Sequence, residues 1–312
     1  MKTPPLDARE TAARLPYPAL TARIREVLED ASVIVPERLV QPLAGGGSLF
    51  VMPAADSRIA IAKLITFTPA NGGGPRPAIQ GDVVVFDAAT GERLLILDGP
   101  AVTARRTAAV SLLAAQQLAR CPSGPLLIVG AGAQGRAHLE AFAQGLPIHS
   151  VSIASRSRAG SEALAGHART LGLNARVIDD PNPALADCPL VVTCTPARAV
   201  VLAALPREDA FIAAVGAFTP TMAELGPALC RHCAEHGSVV VDTPQAVHEA
   251  GDLLQAGLDV GSFALLRDVL DAPPPARGPV LFKSCGWAGW DLAAARTALA
   301  SGAEPAFCRA GS

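Results

Sequence analysis

A glycine-rich turn is the first stretch whose residue types and spacing could do chemistry. In PLLIVGAGAQGRAHLEAF (residues 125–142), Gly130, Gly132 and Gly135 follow an apolar run and precede an amphipathic segment. The first glycine permits a tight turn, the second lets the backbone approach a pyrophosphate, and the third allows close helix packing. The alternative is a glycine turn without a ligand. We predict a dinucleotide site, with these contacts: Gly130, Gly132, Ala133, Gln134 and Gly135.

The residues at the end of the next predicted strand indicate whether the dinucleotide is NAD(H) or NADP(H). Folds that select NAD usually place Asp or Glu there to hold the ribose 2′-hydroxyl. The stretch IASRSRAG (residues 153–160) has no acid and contains Ser155, Arg156, Ser157 and Arg158. These residues favour the 2′-phosphate of NADPH, although NADH stays possible, and the alternative is two arginines that face water. Further cofactor contacts are expected where the fourth and fifth strands end, at Thr193, Thr195, Val215 and Gly216.

Lys63 interrupts an apolar segment, IAIAKLI (residues 59–65), that has the composition of a strand. Strand alternation places this lysine on the same face as Ile61 and Ile65. A buried ammonium group without a partner is energetically costly, so the position favours a cation with a functional role. The alternative is a lysine at the protein surface.

The composition of the chain excludes several classes of protein. The 312-residue chain has a formal charge of −2, which gives no electrostatic reason to expect nucleic acid or an anionic membrane as a partner. Prolines and charges near the N-terminus do not fit a signal peptide, so we expect a soluble, cytoplasmic protein. Seven cysteines suit reduced thiols. Cys230 and Cys233 have C-x-x-C spacing but no second ligand pair, which favours the buried face of a helix over a metal site.

The periodicity predicts an α/β protein with two parts. From about residue 150 to 241, apolar runs alternate with helical segments, as in a Rossmann-type, doubly wound parallel sheet. The first third has short β-rich runs separated by turns such as ATGE and ANGGGPRP, which indicates an antiparallel sheet. We expect a smaller α+β domain at 1–119, to which a C-terminal helix within 285–312 returns. The dinucleotide-binding domain then covers 120–284.

Three separated stretches carry a resemblance to a known family. They are VTARRTAAVSLLAA (102–115), LLIVGAGAQGRAHLEAF (126–142) and LFKSCGWAGWDLAAA (281–295). From about residue 35 to the C-terminus the chain resembles the ornithine cyclodeaminase and mu-crystallin family. Within it, PAIQGDVVVFDAATG with DGPAVTARRTAA is most similar to bacterial reductases of cyclic ketimines, pyrroline-2-carboxylate and piperideine-2-carboxylate. HEAGDL (248–253) resembles a family turn whose glycine and acids could cap a helix.

The resemblance implies a homodimer in which the smaller domain provides both the interface and the substrate pocket. It also implies that Arg38, Lys63 and Arg106 hold the substrate carboxylate, although on the residues alone Arg38 could equally face solvent. Guanidinium and ammonium groups suit that role in a water-poor pocket. Ornithine cyclodeaminases carry acids where this chain has Phe50 and Phe218, and an aromatic ring cannot act on an amine as a carboxylate does.

These features together favour an enzyme that transfers a hydride from NADPH to the carbon of a cyclic ketimine carboxylate, with Lys63 and Arg106 as its catalytic cations. The source of the proton is open between Lys63 and an ordered water. A second interpretation is an ornithine cyclodeaminase or amino-acid dehydrogenase of the same family. A third is a non-catalytic protein that binds NADPH or a small ligand.

Overall fold

The computed structural model describes residues 4–71, 76–196, 199–272 and 277–302. Its contacts divide the chain into two compact units. The first contains the described residues up to Arg106 together with those from Ala288 onward, and the second runs from Thr107 to Trp287. The predicted boundary at 119/120 follows helix Gly99–Leu118, whereas the division between the units falls inside that helix.

The first unit is built on a five-stranded antiparallel sheet in the order β1-β2-β3-β4-β5. Two helices precede the sheet, and the second of them buries Tyr17, Leu20, Ile24 and Val27 on one face. The elements are α1 (Ala8–Ala13), α2 (Tyr17–Glu29), β1 (Leu39–Pro42), β2 (Ser48–Ala55), β3 (Ile59–Phe67), β4 (Ile79–Asp87) and β5 (Arg93–Asp98).

Strands β2 to β5 lie in the first third of the chain, where the sequence indicates an antiparallel sheet. The ATGE turn joins β4 to β5, and Gly91 in that turn has a φ of 73°, which favours glycine. Part of the ANGGGPRP separator lies outside the described residues. The edge strand β1 was not predicted, because its four residues are all exposed and show no alternation of burial.

Helix α3 (Gly99–Leu118) leads into the second unit, whose core is an eight-stranded parallel sheet in the order β12-β11-β13-β10-β9-β6-β7-β8. Most of its strands are buried on both faces, as expected of a parallel sheet. The strands are β6 (Leu126–Val129), β7 (Ser150–Ala154), β8 (Asn174–Val177), β9 (Leu190–Thr193), β10 (Phe211–Ala214), β11 (Ser238–Val241), β12 (Ala264–Leu265) and β13 (Val280–Lys283).

Six α-helices among the described residues connect these strands. They are α4 (Ala133–Gly145), α5 (Arg158–Thr170), α6 (Pro227–His236), α7 (Ala246–Glu249), α8 (Gly251–Gln255) and α9 (Leu266–Asp271). The predicted α/β class with a Rossmann-type sheet and a smaller antiparallel-sheet unit is therefore confirmed. Helix α6 begins at Pro227, with Gly226 as its N-cap, because proline is favoured in the first turn of a helix.

Helix α10 (Ala288–Gly302) belongs to the first unit, where it packs against α2, β2 and β3. Ten of its fifteen residues are buried, so its sequence is apolar nearly all round instead of amphipathic. Asp291 is a charged exception in its first turn. Within the described residues, no helix is long and apolar enough to cross a membrane.

Candidate active site

Lys63 lies in the middle of β3, opposite Met52 of β2 and Val83 of β4. Its side chain shares a face with Ile61 and Ile65, as the alternation predicts, and it is fully buried. The surface alternative for this lysine is therefore excluded. A buried cation must find a counter-charge, and that partner comes from a distant part of the chain.

The partner of Lys63 is Asp291, in the first turn of α10. The Lys63 Nζ atom donates to Asp291 Oδ1 at 3.0 Å, and the Nε atom of Arg106 lies 3.4 Å from the same oxygen. Lys63 and Asp291 are completely buried, and Arg106 is 7% exposed. Two cations thus share one carboxylate oxygen, which leaves this cluster, Lys63–Arg106–Asp291, with an excess of positive charge.

Burial lowers the pKa of Lys63 to about 8, because the charged form loses its hydration. The carboxylate of Asp291 opposes this shift, whereas the charges of Arg106 and of the half-buried Arg38 add to it. The cluster therefore holds a lysine that changes charge in the mildly alkaline range. A bound anion would favour its charged form.

Asp291 was not singled out as a site residue from the sequence. It lies in LFKSCGWAGWDLAAA, the third stretch that carries the family resemblance, and the signal that could have found it is a carboxylate inside the alanine- and leucine-rich segment WDLAAA. A charge in an otherwise buried helix requires a partner. Periodicity, however, does not say which of the distant basic residues provides it.

The sheet face that carries Lys63 also carries Phe50. In the β2–β3 register Phe50 lies opposite Ile65, two residues along β3 from Lys63, so the two side chains point to the same side. An acid at this position would lie on the same face as Lys63. In this chain that position is aromatic and half-buried.

In the second unit the glycine turn joins β6 to α4. Helix α4 has Gly132 as its N-cap, and no side chain caps it. A Cβ atom added to Gly132 would meet nothing within 4 Å, so packing within the described residues does not require a glycine there. The open space at the N-terminus of α4 fits a pyrophosphate, which needs a close approach of the backbone.

The other two glycines of the turn are required by the fold itself. Gly130 has a φ of 121°, and a Cβ atom there would lie 2.9 Å from the carbonyl oxygen of Cys194. At Gly135 a Cβ atom would approach the Gly130 carbonyl oxygen to 2.0 Å. Both positions exclude a side chain, so the turn and the close packing of α4 depend on them. Ala133 and Gln134 lie in the first turn of α4.

The end of β7 has the polar composition expected from the sequence. The Ser155 hydroxyl donates to the Ser157 carbonyl oxygen at 2.9 Å, and the Ser157 hydroxyl caps α5 by accepting from the Gly160 N–H. Arg158 forms ion pairs with Asp179 and Glu162. Arg156 is exposed and forms no ion pair with any described residue, so its guanidinium is available to a ligand.

A buried carboxylate, Glu224, organises the ends of β9 and β10. It accepts from the Thr193 hydroxyl at 3.1 Å, from the Thr195 N–H at 2.6 Å and hydroxyl at 3.0 Å, and from the Gly216 N–H at 2.6 Å. Thr193, Thr195 and Gly216 are among the residues predicted to contact the cofactor, and in this structure these donors bind Glu224. Burial raises the pKa of Glu224.

Two further buried charges hold Glu224 in place. Asp252 Oδ1 accepts from the N–H groups of Glu224 and Leu225 at 2.6 and 2.9 Å. Its other oxygen lies 2.7 Å from the Nζ of Lys283 at the end of β13, and Lys283 donates to the Ala217 carbonyl oxygen. Burial alone would lower the pKa of Lys283, but Asp252, Cys285 and Glu224 together raise it. Asp252 is the second of the two acids in HEAGDL, and it accepts hydrogen bonds from the loop that precedes α6.

The remaining predicted positions have simpler surroundings. Val215 and Gly216 follow β10 and are half-buried. A Cβ atom at Gly216 would lie 2.1 Å from the Thr195 carbonyl oxygen. Cys230 and Cys233 are fully buried on α6, as expected, and burial raises the pKa of Cys233 to about 12.

The parallel sheet, its glycine turn and the added antiparallel-sheet unit give the chain the α/β architecture that is typical of dinucleotide-binding proteins. The family model of the ornithine cyclodeaminase/mu-crystallin family matches residues 19–301. The chain belongs to this family.

Its relatives include proteins with assigned activities. A Delta(1)-pyrroline-2-carboxylate reductase of Burkholderia multivorans is 40% identical over 302 residues, which cover 95% of each chain. A Delta(1)-pyrroline-2-carboxylate/Delta(1)-piperideine-2-carboxylate reductase of Azospirillum brasilense is 40% identical over 300 residues, 95% of this chain and 94% of the relative. The solved structure of the Thermococcus litoralis Delta(1)-pyrroline-2-carboxylate reductase, in complex with NADH and L-proline, has a TM-score of 0.82 and 24% identity. It covers 95% of this chain and 93% of its own, and it shows the shared fold.

Proposed function

We propose that this protein is an NAD(P)H-dependent reductase of cyclic ketimine carboxylates, which converts pyrroline-2-carboxylate to proline and piperideine-2-carboxylate to pipecolate. The observation that carries the proposal is the Lys63–Arg106–Asp291 cluster, in which two buried cations share one carboxylate oxygen. Both relatives at 40% identity are reductases of pyrroline-2-carboxylate, and the one from Azospirillum brasilense is also a reductase of piperideine-2-carboxylate, which supports the choice of substrate.

The cationic cluster suits a small ring that carries a carboxylate. Lys63 and Arg106, with Arg38 nearby, would hold the carboxylate through charge-assisted hydrogen bonds. Their burial makes the attraction stronger than it would be in water. Because the carboxylate is bonded directly to the imine carbon, fixing the one also fixes the other. Orientation of the reacting carbon is then the main contribution of these residues.

A reduced nicotinamide, when bound, supplies the hydride that adds to the imine carbon, and the ring nitrogen takes up a proton. In the second unit, the glycine turn from Gly130 to Gly135 would hold the pyrophosphate at the N-terminus of α4. For the proton, Lys63 is the titratable candidate in the cluster, and a water is the alternative. Most of the chemistry belongs to the cofactor, and the protein binds, orients and excludes water.

The two phenylalanines argue against ring closure of ornithine with loss of ammonia. That reaction needs groups that deprotonate and steady an amine, and the resemblance assigns this work to acids at the positions of Phe50 and Phe218. Asp291 does not replace them, because it is completely buried and committed to Lys63 and Arg106. Reduction of a ready-made imine makes no such demand.

We further infer that NADPH is preferred over NADH. The end of β7 offers the exposed guanidinium of Arg156 and the hydroxyls of Ser155 and Ser157, with no acid among residues 155–158. A carboxylate there would repel a 2′-phosphate, whereas an arginine attracts it.

We also infer a homodimer that forms through the antiparallel sheet of the first unit. Its edge strand β1 is exposed along its whole length, and Leu39 and Val40 are 56% and 47% exposed. Ile34 and Leu64 add exposed apolar surface in the same unit. Such surface in a soluble protein marks an interaction site. Light scattering of the purified protein should therefore give twice the mass of the chain.

Steady-state rates test the function. We expect oxidation of NADPH with pyrroline-2-carboxylate and with piperideine-2-carboxylate, and no release of ammonia from ornithine with NAD. Ammonia release would instead support a cyclodeaminase. Tight binding of NADPH without either reaction would support a ligand-binding protein. Linear imines, formed from a keto acid and methylamine, complete the substrate panel and show whether the ring is required.

A further inference from the structure

We propose that Asp291 is a positioning residue of the reductase site: it keeps the Lys63 ammonium charged, holds it beside Arg106, and so sets the alkaline limit of substrate binding. This inference rests on the proposed function, because it assigns the carboxylate of the substrate to the two cations. It goes beyond that function because the charge of Lys63, which the substrate carboxylate requires, depends on Asp291, a residue that the substrate does not touch.

The geometry shows why Asp291 acts through its neighbours. Its carboxylate is completely buried, so no group of water size reaches it. The Oδ1 atom is 3.0 Å from Lys63 Nζ and 3.4 Å from Arg106 Nε, which brings the two cations to one point. Without that carboxylate, two buried positive charges would face each other. A nearby positive charge disfavours the charged form of a lysine. Lys63 would respond to it, because the guanidinium of Arg106 does not lose its proton.

The side chains that surround Lys63 come from four elements and from the segment before β1, and most of the charged ones are cations. From α10 comes Asp291, from α3 Arg106, and from the segment before β1 Arg38, whereas the neighbouring strands place uncharged Met52 and Val83 opposite the lysine. Only Asp291 among these groups favours the ammonium form. The pKa of Lys63, about 8, is therefore a balance in which burial is opposed chiefly by one carboxylate.

Asp291 connects the two segments of the chain that form the first unit, which are far apart in the sequence. Lys63 is in the central strand of the antiparallel sheet, and Asp291 is 228 residues later. Helix α10 holds a second ion pair in the same unit, between Arg296 and Asp56, whose atoms lie 2.6 Å apart. That pair connects the same helix to the same sheet without involving Lys63. It therefore provides a matched control for a purely structural role.

The direct test is the titration of the Lys63 side chain by NMR with lysine labelled at Nζ, where the signal is assigned as the one lost in Lys63→Arg. In the parent protein we expect a midpoint near pH 8. Asp291→Asn should lower it by about 1 to 3 pH units, because an opposite charge within a few ångströms has been removed. Asp291→Glu, which keeps the charge, should restore most of the shift. Asp56→Asn should lower the melting temperature and leave the Lys63 midpoint unchanged.

Arg106→Met provides a test of opposite sign that does not depend on the folding of Asp291→Asn. Removal of the competing cation should raise the Lys63 midpoint. An unchanged midpoint in both Arg106→Met and Asp291→Asn would overturn the proposal, as would a variant at Asp291 that only lowers stability.

The functional consequence can be measured without turnover, by calorimetry of L-proline binding between about pH 6 and about pH 10, a range that brackets the pKa of a lysine lowered by burial. The affinity of the parent protein should fall as the pH rises through the Lys63 midpoint, and the fall should begin at lower pH in Asp291→Asn. Prolinamide, which lacks the carboxylate, should show no such dependence.

The two proposals fail separately. Absence of imine reduction by the parent enzyme would overturn the reductase and leave the Lys63 titration intact. A Lys63 titration that ignores Asp291 would overturn the positioning role and leave the reductase standing.

Discussion

Glu224 accepts hydrogen bonds from both the N–H and the hydroxyl of Thr195, at 2.6 and 3.0 Å. This single side chain thereby fixes the backbone that follows β9. It binds the Gly216 N–H after β10 in the same way, so the ends of two adjacent strands are held by one buried carboxylate. Ligands of doubly wound sheets bind at the carboxyl ends of the strands, so Glu224 shapes the surface that a nicotinamide would face.

Glu224→Gln should destabilise the second unit and weaken NADPH binding together. An amide nitrogen would replace one acceptor oxygen and face N–H and O–H donors, at a cost of about 1 to 3 kcal/mol for each donor left unpaired. Chemical denaturation and a fluorescence titration with NADPH measure the two effects. Thr193→Val, which removes one of the four hydrogen bonds, is the matched control with a smaller loss. Unchanged stability and affinity in Glu224→Gln would contradict this role.

Gly132→Ala should weaken NADPH binding at least about tenfold without loss of stability, since even one lost charge-assisted hydrogen bond costs about 1.5 to 3 kcal/mol. The added methyl group enters open space in the protein, at the point where a pyrophosphate would approach. Gly166→Ala in α5 is the control, because its Cβ atom also meets nothing within 4 Å. That change should stabilise the fold by about 0.5 to 1 kcal/mol and leave NADPH affinity alone. Equal affinities in all three proteins would mean that no phosphate approaches Gly132.

Arg156→Ala should reduce the affinity for NADPH and leave that for NADH nearly unchanged. Loss of one or two charge-assisted hydrogen bonds to the 2′-phosphate corresponds to about 1.5 to 3 kcal/mol each. Arg158→Ala is the matched control, since Arg158 is already paired with Asp179 and Glu162. The same ratio of NADPH to NADH affinity in both variants would refute a special role for Arg156.

Lys63→Met and Arg106→Met should each lower kcat/KM for pyrroline-2-carboxylate severely, by about 2 to 5 kcal/mol in transition-state free energy. An effect of this size is typical when one member of a desolvated charge pair is removed. A ring imine without a carboxylate should react poorly with the parent enzyme and respond little to Lys63→Met. If Lys63→Met loses activity equally with both substrates, the lysine supplies the proton or supports the structure instead of binding the carboxylate.

Acid should weaken the contact between α2 and α10 in a defined pH window. Hydrogen bonds from Ser32, together with Arg296, lower the pKa of Asp30 from 3.8 to about 2. A lowered carboxyl pKa contributes stability above the unfolded value, and the contribution is lost as the pH falls toward about 2. Asp30→Asn should therefore cost on the order of 1 kcal/mol at neutral pH, because the pair is partly exposed. The difference from the parent protein should vanish in strong acid, as followed by urea denaturation, and a constant difference would contradict this.

The local sequence was sufficient to predict most of the strands of the sheets and part of the candidate site. The glycine spacing predicted the turn between β6 and α4, and alternation along β3 predicted that Lys63 points inward. Both follow from rules that act over a few residues: the φ values open to glycine and the two-residue repeat of a strand. The same rules missed β1, whose four residues are all exposed, and β13, a four-residue strand that ends in a lysine.

Tertiary structure alone decided which charges meet. Nothing in the sequence pairs Lys63 with Asp291, 228 residues away, because many acids could satisfy a buried lysine and only packing selects one. Thr193 and Thr195 were placed at the end of their strand from the sequence, but only the fold shows that their hydroxyls donate to the buried carboxylate of Glu224. The sequence determines the polarity of each side chain. Its hydrogen-bond partner depends on which segments of the chain the fold brings within hydrogen-bonding distance.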